Sequence, residues 1–137
     1  MILIDTNVLS QPMRANGSAK VNGWLRENFE QVGIPMLAVS EIVFGIELIE
    51  DWERKIQLTN ALATMRIRYE DRFVPFDLAA ADAHGWLQAR MIREGGRLPE
   101  IDSQIAAIAI SRNATIATRN TKDYARTGVE LINPWEL

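Results

Sequence analysis

Five short apolar runs alternate with stretches whose apolar residues recur at helical spacing, which limits the chain to a sheet covered by helices. Met1 to Ile4 is the first run, closed by the polar triplet Asp5-Thr6-Asn7, and reads as a buried strand ending in a turn. Gly33 to Leu37, Arg72 to Phe76, Thr115 to Thr118 and Val129 to Ile132 read as the later strands. Between them the spacing predicts helices. Ser18 to Phe29 has Ser18 as N-cap and Val21, Trp24, Leu25 and Phe29 on one face. Ala38-Val39-Ser40-Glu41 leads into a stripe of Ile42, Val43, Ile46 and Ile49. Trp52 to Arg68 is a helix exposed on one side, and Asp77 caps another that runs to Gly95-Gly96. Asp102 precedes a helix of small residues, Ser103 to Ile110, and Asn120 to Tyr124 is a short turn or helix. This order implies an α/β domain with a parallel sheet covered on both faces. No repeat, linker or low-complexity tract divides residues 1–137, so one domain is expected.

The missing side chains exclude much chemistry. There is no cysteine, hence no disulfide frame, thiolate zinc site or cysteine nucleophile, and a single histidine rules out a multi-histidine metal site within one chain. Carboxylates are the remaining tools. No apolar run approaches the roughly 20 residues of a membrane span, and Met1-Ile2-Leu3-Ile4-Asp5 lacks a basic leader, so a cytoplasmic location without membrane contact is expected. The net charge of −3 argues against broad nonspecific nucleic-acid binding while leaving room for a local basic surface.

In parallel α/β sheets the functional crevice lies at the carboxyl ends of the strands. Four acids sit where such a fold can gather them. Asp5 closes the first strand, Glu41 begins the helix after the second, Asp102 begins the small-residue helix, and Asp123 follows the fourth strand. Carboxylates sharing a pocket repel one another unless a cation neutralises them. An all-oxygen donor set suits Mg²⁺ or Mn²⁺ better than Zn²⁺, and Mg²⁺ commonly takes phosphate oxygens as well, which points to phosphodiester chemistry. Taken singly, each acid also has an ordinary structural reading. Asp5 can close an Asx-turn, Glu41 can serve a helix dipole, Asp102 can be an N-cap, and Asp123 can be a solvated loop acid.

Several segments then match one family in order. They are Ile2-Leu3-Ile4-Asp5-Thr6-Asn7-Val8, Val39-Ser40-Glu41-Ile42 with Gly45-Ile46, and Val74-Pro75-Phe76-Asp77. Ile101-Asp102-Ser103-Gln104-Ile105-Ala106-Ala107-Ile108-Ala109, Ala117-Thr118-Arg119-Asn120-Thr121-Lys122-Asp123-Tyr124 and Ile132-Asn133-Pro134-Trp135 complete the set. On these residues the chain resembles the PIN-domain ribonucleases of the VapC toxin kind, in their FitB-like branch. The resemblance implies a three-layer α/β/α fold with a central parallel sheet and an Mg²⁺- or Mn²⁺-dependent endoribonuclease acting on RNA. It places the metal-holding acids at Asp5, Glu41, Asp102 and Asp123. Some members carry an acid at the position of Asn120 instead of Asp123, so either of these two fills the fourth place. Thr6, Asn7, Ser40 and Thr118 are implied to orient the carboxylates or water. Arg119 is first among the basic residues to hold RNA phosphates, ahead of Arg90, Arg93, Arg97, Arg112 and Lys122. A homodimer and a cognate VapB- or FitA-like antitoxin, whose C-terminal segment occupies a groove leading to the site, are further expectations.

Two other readings compete with this one. A receiver-like phosphoacceptor module would use Asp77 as acceptor and Lys122 as partner, but it needs paired acids after the first strand, where Asp5 is followed by Thr6, and it leaves Asp102 without a role. A catalytically inactive PIN-like binding protein has no need of four intact acids. His84 reads as packing or surface, and Trp24, Trp52 and Trp86 as core or interface.

Overall fold

β1 (Ile2–Ile4) is three residues long and buried on both faces, which only a sheet enclosed by helices permits. In the computed structural model, which describes residues 1–137, Ile2 and Ile4 pack into one apolar cluster and Leu3 into another, as the two-residue period of a strand requires. β2 (Val32–Pro35), β3 (Phe73–Val74), β4 (Thr115–Ala117) and β5 (Leu131–Ile132) join it in the order β3-β2-β1-β4-β5. Every pairing is parallel, with Leu3 beside Gly33 on one side and Ile116 on the other.

One face of the sheet is covered by α2 (Ala19–Glu27), α3 (Met36–Glu47) and α4 (Trp52–Arg68), through Val21, Leu25, Ala38, Ile42, Ile46, Leu62 and Met65. The other is covered by α5 (Leu78–Arg93) and α6 (Glu100–Arg112). Ile105 to Ala109 are all fully buried, and the alanines among them let α6 pack closely with α5 over this face. Two one-turn helices, α1 (Thr6–Leu9) and α7 (Thr121–Tyr124), follow β1 and β4. The result is the expected three-layer α/β/α arrangement. No helix is long and apolar enough to cross a membrane.

Element boundaries depart from the sequence reading at places that matter for the site. Met36 and Leu37 belong to α3 rather than β2, so Glu41 lies in the second turn of its helix and not at its start. α6 begins at Glu100 behind Pro99, which makes Asp102 its third residue and not its N-cap. The polar triplet after β1 is not a bare turn: Thr6 and Asn7 open α1, with Asp5 as its cap. The third strand shrinks to Phe73–Val74 and the fifth to Leu131–Ile132. Trp52 and Trp86 are exposed rather than in the core.

Because Leu3 is fully buried beneath the α5–α6 layer, Leu3→Ala should lower the unfolding free energy by about 3 kcal/mol, the cost of a cavity at a fully packed site. Urea denaturation measures this; a loss under about 1 kcal/mol would mean that the layer is not packed as described.

Candidate active site

The strand order turns outward in both directions from the β1–β4 pair, since β1 is followed by β2 on one side while β4 lies on the other. Crevices at the carboxyl ends of parallel strands open at such a switch. Asp5 follows β1 there, and Thr118 follows β4.

Asp5 continues the ladder by one bond, its N–H donating to Ala117 O at 3.0 Å, and then caps α1. Its Oδ1 accepts from the Thr6 N–H at 2.8 Å. Its Oδ2 accepts from Thr118 Oγ1 at 2.8 Å and from Asn7 Nδ2 at 3.2 Å. Only 4% of the residue is exposed. Burial outweighs these three donors and, with the charge of Asp123, holds the carboxyl above its ordinary pKa. Thr118 is fully buried; its oxygen also accepts from the Asn120 N–H at 3.0 Å, while Asn7 Oδ1 accepts from the Arg119 N–H at 3.2 Å. This net ties α1 to the turn after β4.

Glu41 is half-buried on α3, and its Oε1 accepts from Thr6 Oγ1 at 2.6 Å. Asp102 is half-buried in the first turn of α6, where Oδ1 accepts from the Tyr124 hydroxyl at 3.3 Å. Burial first, then the charges of Asp5 and Glu41, push the Asp102 carboxyl up to about 6. Tyr124 is fully buried, and burial together with Asp5 and Asp102 raises its pKa beyond the ordinary tyrosine range, so it remains a donor.

Asp5, Thr6, Asn7, Glu41, Asp102 and Asn120 line one cleft of about 540 Å³. Asp123 is exposed on α7 and does not line the cleft, although its charge is felt at both Asp5 and Asp102. Ser40 is exposed on α3 and does not line the cleft, and Arg119 lays its guanidinium over the Trp135 ring at 5.2 Å. Three residues with a place in the site escaped the sequence reading. Tyr124 stands in the sequence only as the last residue of the segment after the fourth strand, and Arg14 and Arg54, which also line the cleft, carry no local signal that points them there.

The protein's three ion pairs, Lys55–Glu47, Arg72–Glu30 and Arg112–Asp77, leave all four predicted acids without a cationic partner. An all-oxygen donor set carrying unbalanced negative charge suits a hard divalent cation. With Glu41 turned to Thr6 and Asp102 to Tyr124, no group of three or more such side chains stands positioned to hold an ion, so ligation would need rotamer changes at these two. Asp77 is occupied elsewhere: its Oδ1 caps α5 and its Oδ2 faces Arg112 at 3.5 Å. His84 Nε2 lies 2.9 Å from Ser103 Oγ, which itself donates to Glu100 O at 2.7 Å. The histidine therefore donates to that oxygen and joins α5 to α6.

The model of the PIN domain matches residues 2–130. The chain belongs to the PIN-domain family. Among curated relatives of this PIN domain are the plasmid stability protein StbB of Pseudomonas syringae pv. tomato, 33% identical over 99% of both chains, and the VapC ribonuclease Y4jK of Sinorhizobium fredii, 30% identical over 99% of both. The toxin FitB of Neisseria gonorrhoeae is 31% identical over 98% of this chain and 99% of its own. The crystal structure of FitAcB from Neisseria gonorrhoeae superposes with a TM-score of 0.91 at 31% identity, covering 100% of each chain. Family membership removes the receiver-like reading.

The raised Asp102 carboxyl makes a pH prediction for this PIN domain without divalent cations. Between pH about 4 and about 6 the folded protein keeps a proton that the unfolded chain has released, so stability falls as pH rises through that window. Asp5 pulls the same way. Asp102→Asn removes the repelled charge and keeps an acceptor for Tyr124. It should raise stability at pH 7 by roughly 1 kcal/mol after allowance for solvent screening, with little change at pH 4.5. Urea titrations in EDTA measure both; equal ΔΔG at the two pH values would contradict the strained carboxyl.

Proposed function

We propose that this protein is the toxin of a type II toxin–antitoxin pair and an endoribonuclease that hydrolyses RNA phosphodiester bonds with Mg²⁺ or Mn²⁺. The observation that carries the reading is the single cleft where Asp5, Glu41 and Asp102 meet, none of them engaged in an ion pair. Near-full-length likeness to proteins named VapC ribonuclease and toxin FitB supports the ribonuclease and toxin parts.

Asp5, Glu41 and Asp102 would hold the ion, with Asn120 or Asp123 as fourth contributor. When bound, a hard divalent cation neutralises phosphate charge and makes an attacking water more acidic. The chain's own residues have defined tasks. Thr118, Asn7 and the Thr6 N–H keep Asp5 ionisable and in one orientation despite its burial. Thr6 bonds Glu41 and Tyr124 bonds Asp102 through hydroxyl hydrogens, contacts that these two acids would rearrange in order to take up an ion. Asn120 and Arg119 are placed by backbone bonds to Thr118 and Asn7, so the turn that carries them moves with the carboxylate net.

The proposed partners are a VapB- or FitA-like antitoxin and a second copy of the chain. On α5, Leu78, Trp86 and Ile92 are 80%, 71% and 63% exposed, a concentration of large apolar side chains that supports an interface there. Co-purification with the product of the adjacent reading frame tests the antitoxin, and sedimentation tests the dimer.

Asp5→Asn and Asp102→Asn should each reduce Mg²⁺-dependent RNA cleavage at least a hundredfold, about 3 kcal/mol of transition-state stabilisation, with unchanged circular dichroism. Undiminished cleavage by clean Asp5→Asn protein would sink the proposal. Calorimetric titration with Mn²⁺ separates it from an inactive PIN-like binding protein, for which no binding near millimolar is expected.

A further inference from the structure

The cleft that gathers the acids also carries two cations. Arg14 ends the 3-10 turn Gln11–Met13 and Arg54 lies in the first turn of α4, and both line the cleft with Asp5, Glu41 and Asp102. Neither belongs to any of the protein's ion pairs. Glu50, Asp51 and Glu53 are close to Arg54 in sequence but do not line the cleft; Asp51 Oδ1 is spent accepting from the Glu53 and Arg54 N–H groups.

Arg14 sits on a tightly held loop. Gln11 Nε2 donates to Asn7 O at 3.0 Å and Gln11 Oε1 accepts from the Ser18 N–H at 3.0 Å. Arg14 N–H donates to Gln11 O, and Gly17 N–H donates to Arg14 O, each at 3.3 Å. A Cβ at Gly17 would stand 2.0 Å from Gln11 O, so the ring closes only with glycine there. The loop bearing Arg14 thus hangs from Asn7, whose side chain bonds Asp5. The guanidinium's backbone is thereby held in register with the carboxylates, which lowers the ordering cost of binding.

Acids on the floor and arginines on the wall of one cleft suit a ligand with repeated anionic groups, one of them reached through a cation. A nucleic-acid strand has this form, since it presents a second phosphate one nucleotide from the first. Guanidinium forks bind phosphate bidentately, and Met13, Ile46, Ile49 and Leu58 give an apolar wall to the ribose and base. We infer that Arg14 and Arg54 clamp the RNA backbone at phosphates next to the one cleaved. The inference rests on the ribonuclease reading above and adds to it where the strand lies and which residues hold it.

The test uses the full chain as Asp102→Asn, to suppress cleavage, with Mg²⁺ and a fluorescein-labelled RNA of about a dozen nucleotides, followed by anisotropy over a salt series. Adding Arg14→Ala and Arg54→Ala should weaken binding several-fold. It should also flatten the slope of log K against log salt by about 0.7 for one shared phosphate, or about 1.4 for one each. The Arg14→Lys/Arg54→Lys protein keeps the charge and should restore most of the slope. Unchanged affinity and slope in the double alanine protein, with RNA binding otherwise intact, overturns the clamp alone. A loss confined to binding of a protein partner also overturns it and assigns the arginines to that contact. Failure of Asp102→Asn to bind RNA, joined to failure of the unmodified protein to cleave it, overturns the ribonuclease reading and the clamp with it.

Discussion

A carboxylate buried at the end of the central strand constrains everything around it. A buried charge without hydrogen bonds is far too costly to keep, so the fold must bring donors to Asp5. They arrive from two directions: the Thr6 N–H and Asn7 side chain from α1, and the Thr118 hydroxyl from the turn after β4. The short helix α1 and the β1–β4 register are therefore parts of one arrangement. A one-residue slip of β4 would carry Thr118 away from Asp5 and turn Ile116 to the wrong layer. The same net fixes Asn120 and the backbone of Arg119, so the geometry of the cleft follows from solvating one carboxylate.

The sequence conveyed the layers well because they depend on periodicity. Ile2, Leu3 and Ile4 could only be a doubly buried strand, and Val21, Leu25, Ile42 and Ile46 show the expected helical stripes. It conveyed the helix starts less well. Met36 and Leu37 prolong an apolar run past Pro35 with no polar residue to announce α3, and Pro35 offers no side-chain cap. At α6 the favoured capping residue, Asp102, drew the boundary three residues late, whereas the helix starts directly behind Pro99. In both cases the acid lines the cleft, while its position within the helix differs from the one the local sequence suggested. Tyr124 and the two cleft arginines show the other limit. Their roles come from which way a side chain faces across long-range packing, and no local pattern encodes that.

The absence of cysteine and the lone histidine take on meaning once the cleft is described. His84 is spent joining α5 to α6 through Ser103, so no imidazole reaches the acids. The acids are met instead by two hydroxyls, Thr6 and Tyr124, each donating to one carboxylate. Tyr124 is the more constrained of the two. Its ring belongs to the α5–α6 cluster and its hydroxyl donates to Asp102, so it joins the apolar core directly to that acid.

That junction sets the energetics of the site. Asp102 is half-buried on a helix whose next turns, Ile105 to Ala109, are closed off from water, so only part of its charge is solvated. Asp5, Glu41 and Asp102 must therefore repel one another across the cleft, and the fold bears this as a standing loss of roughly 1 kcal/mol at neutral pH for Asp102 after screening. Under the proposed function the loss is recovered on binding, because a ligand at a hundred times its dissociation constant stabilises the folded state by about 2.7 kcal/mol. Filling the cleft with apolar residues would make a more stable protein that has no use for a cation. Under that proposal the repulsion at Asp102 is what a bound cation would relieve, at a carboxyl that Tyr124 already meets with its hydroxyl.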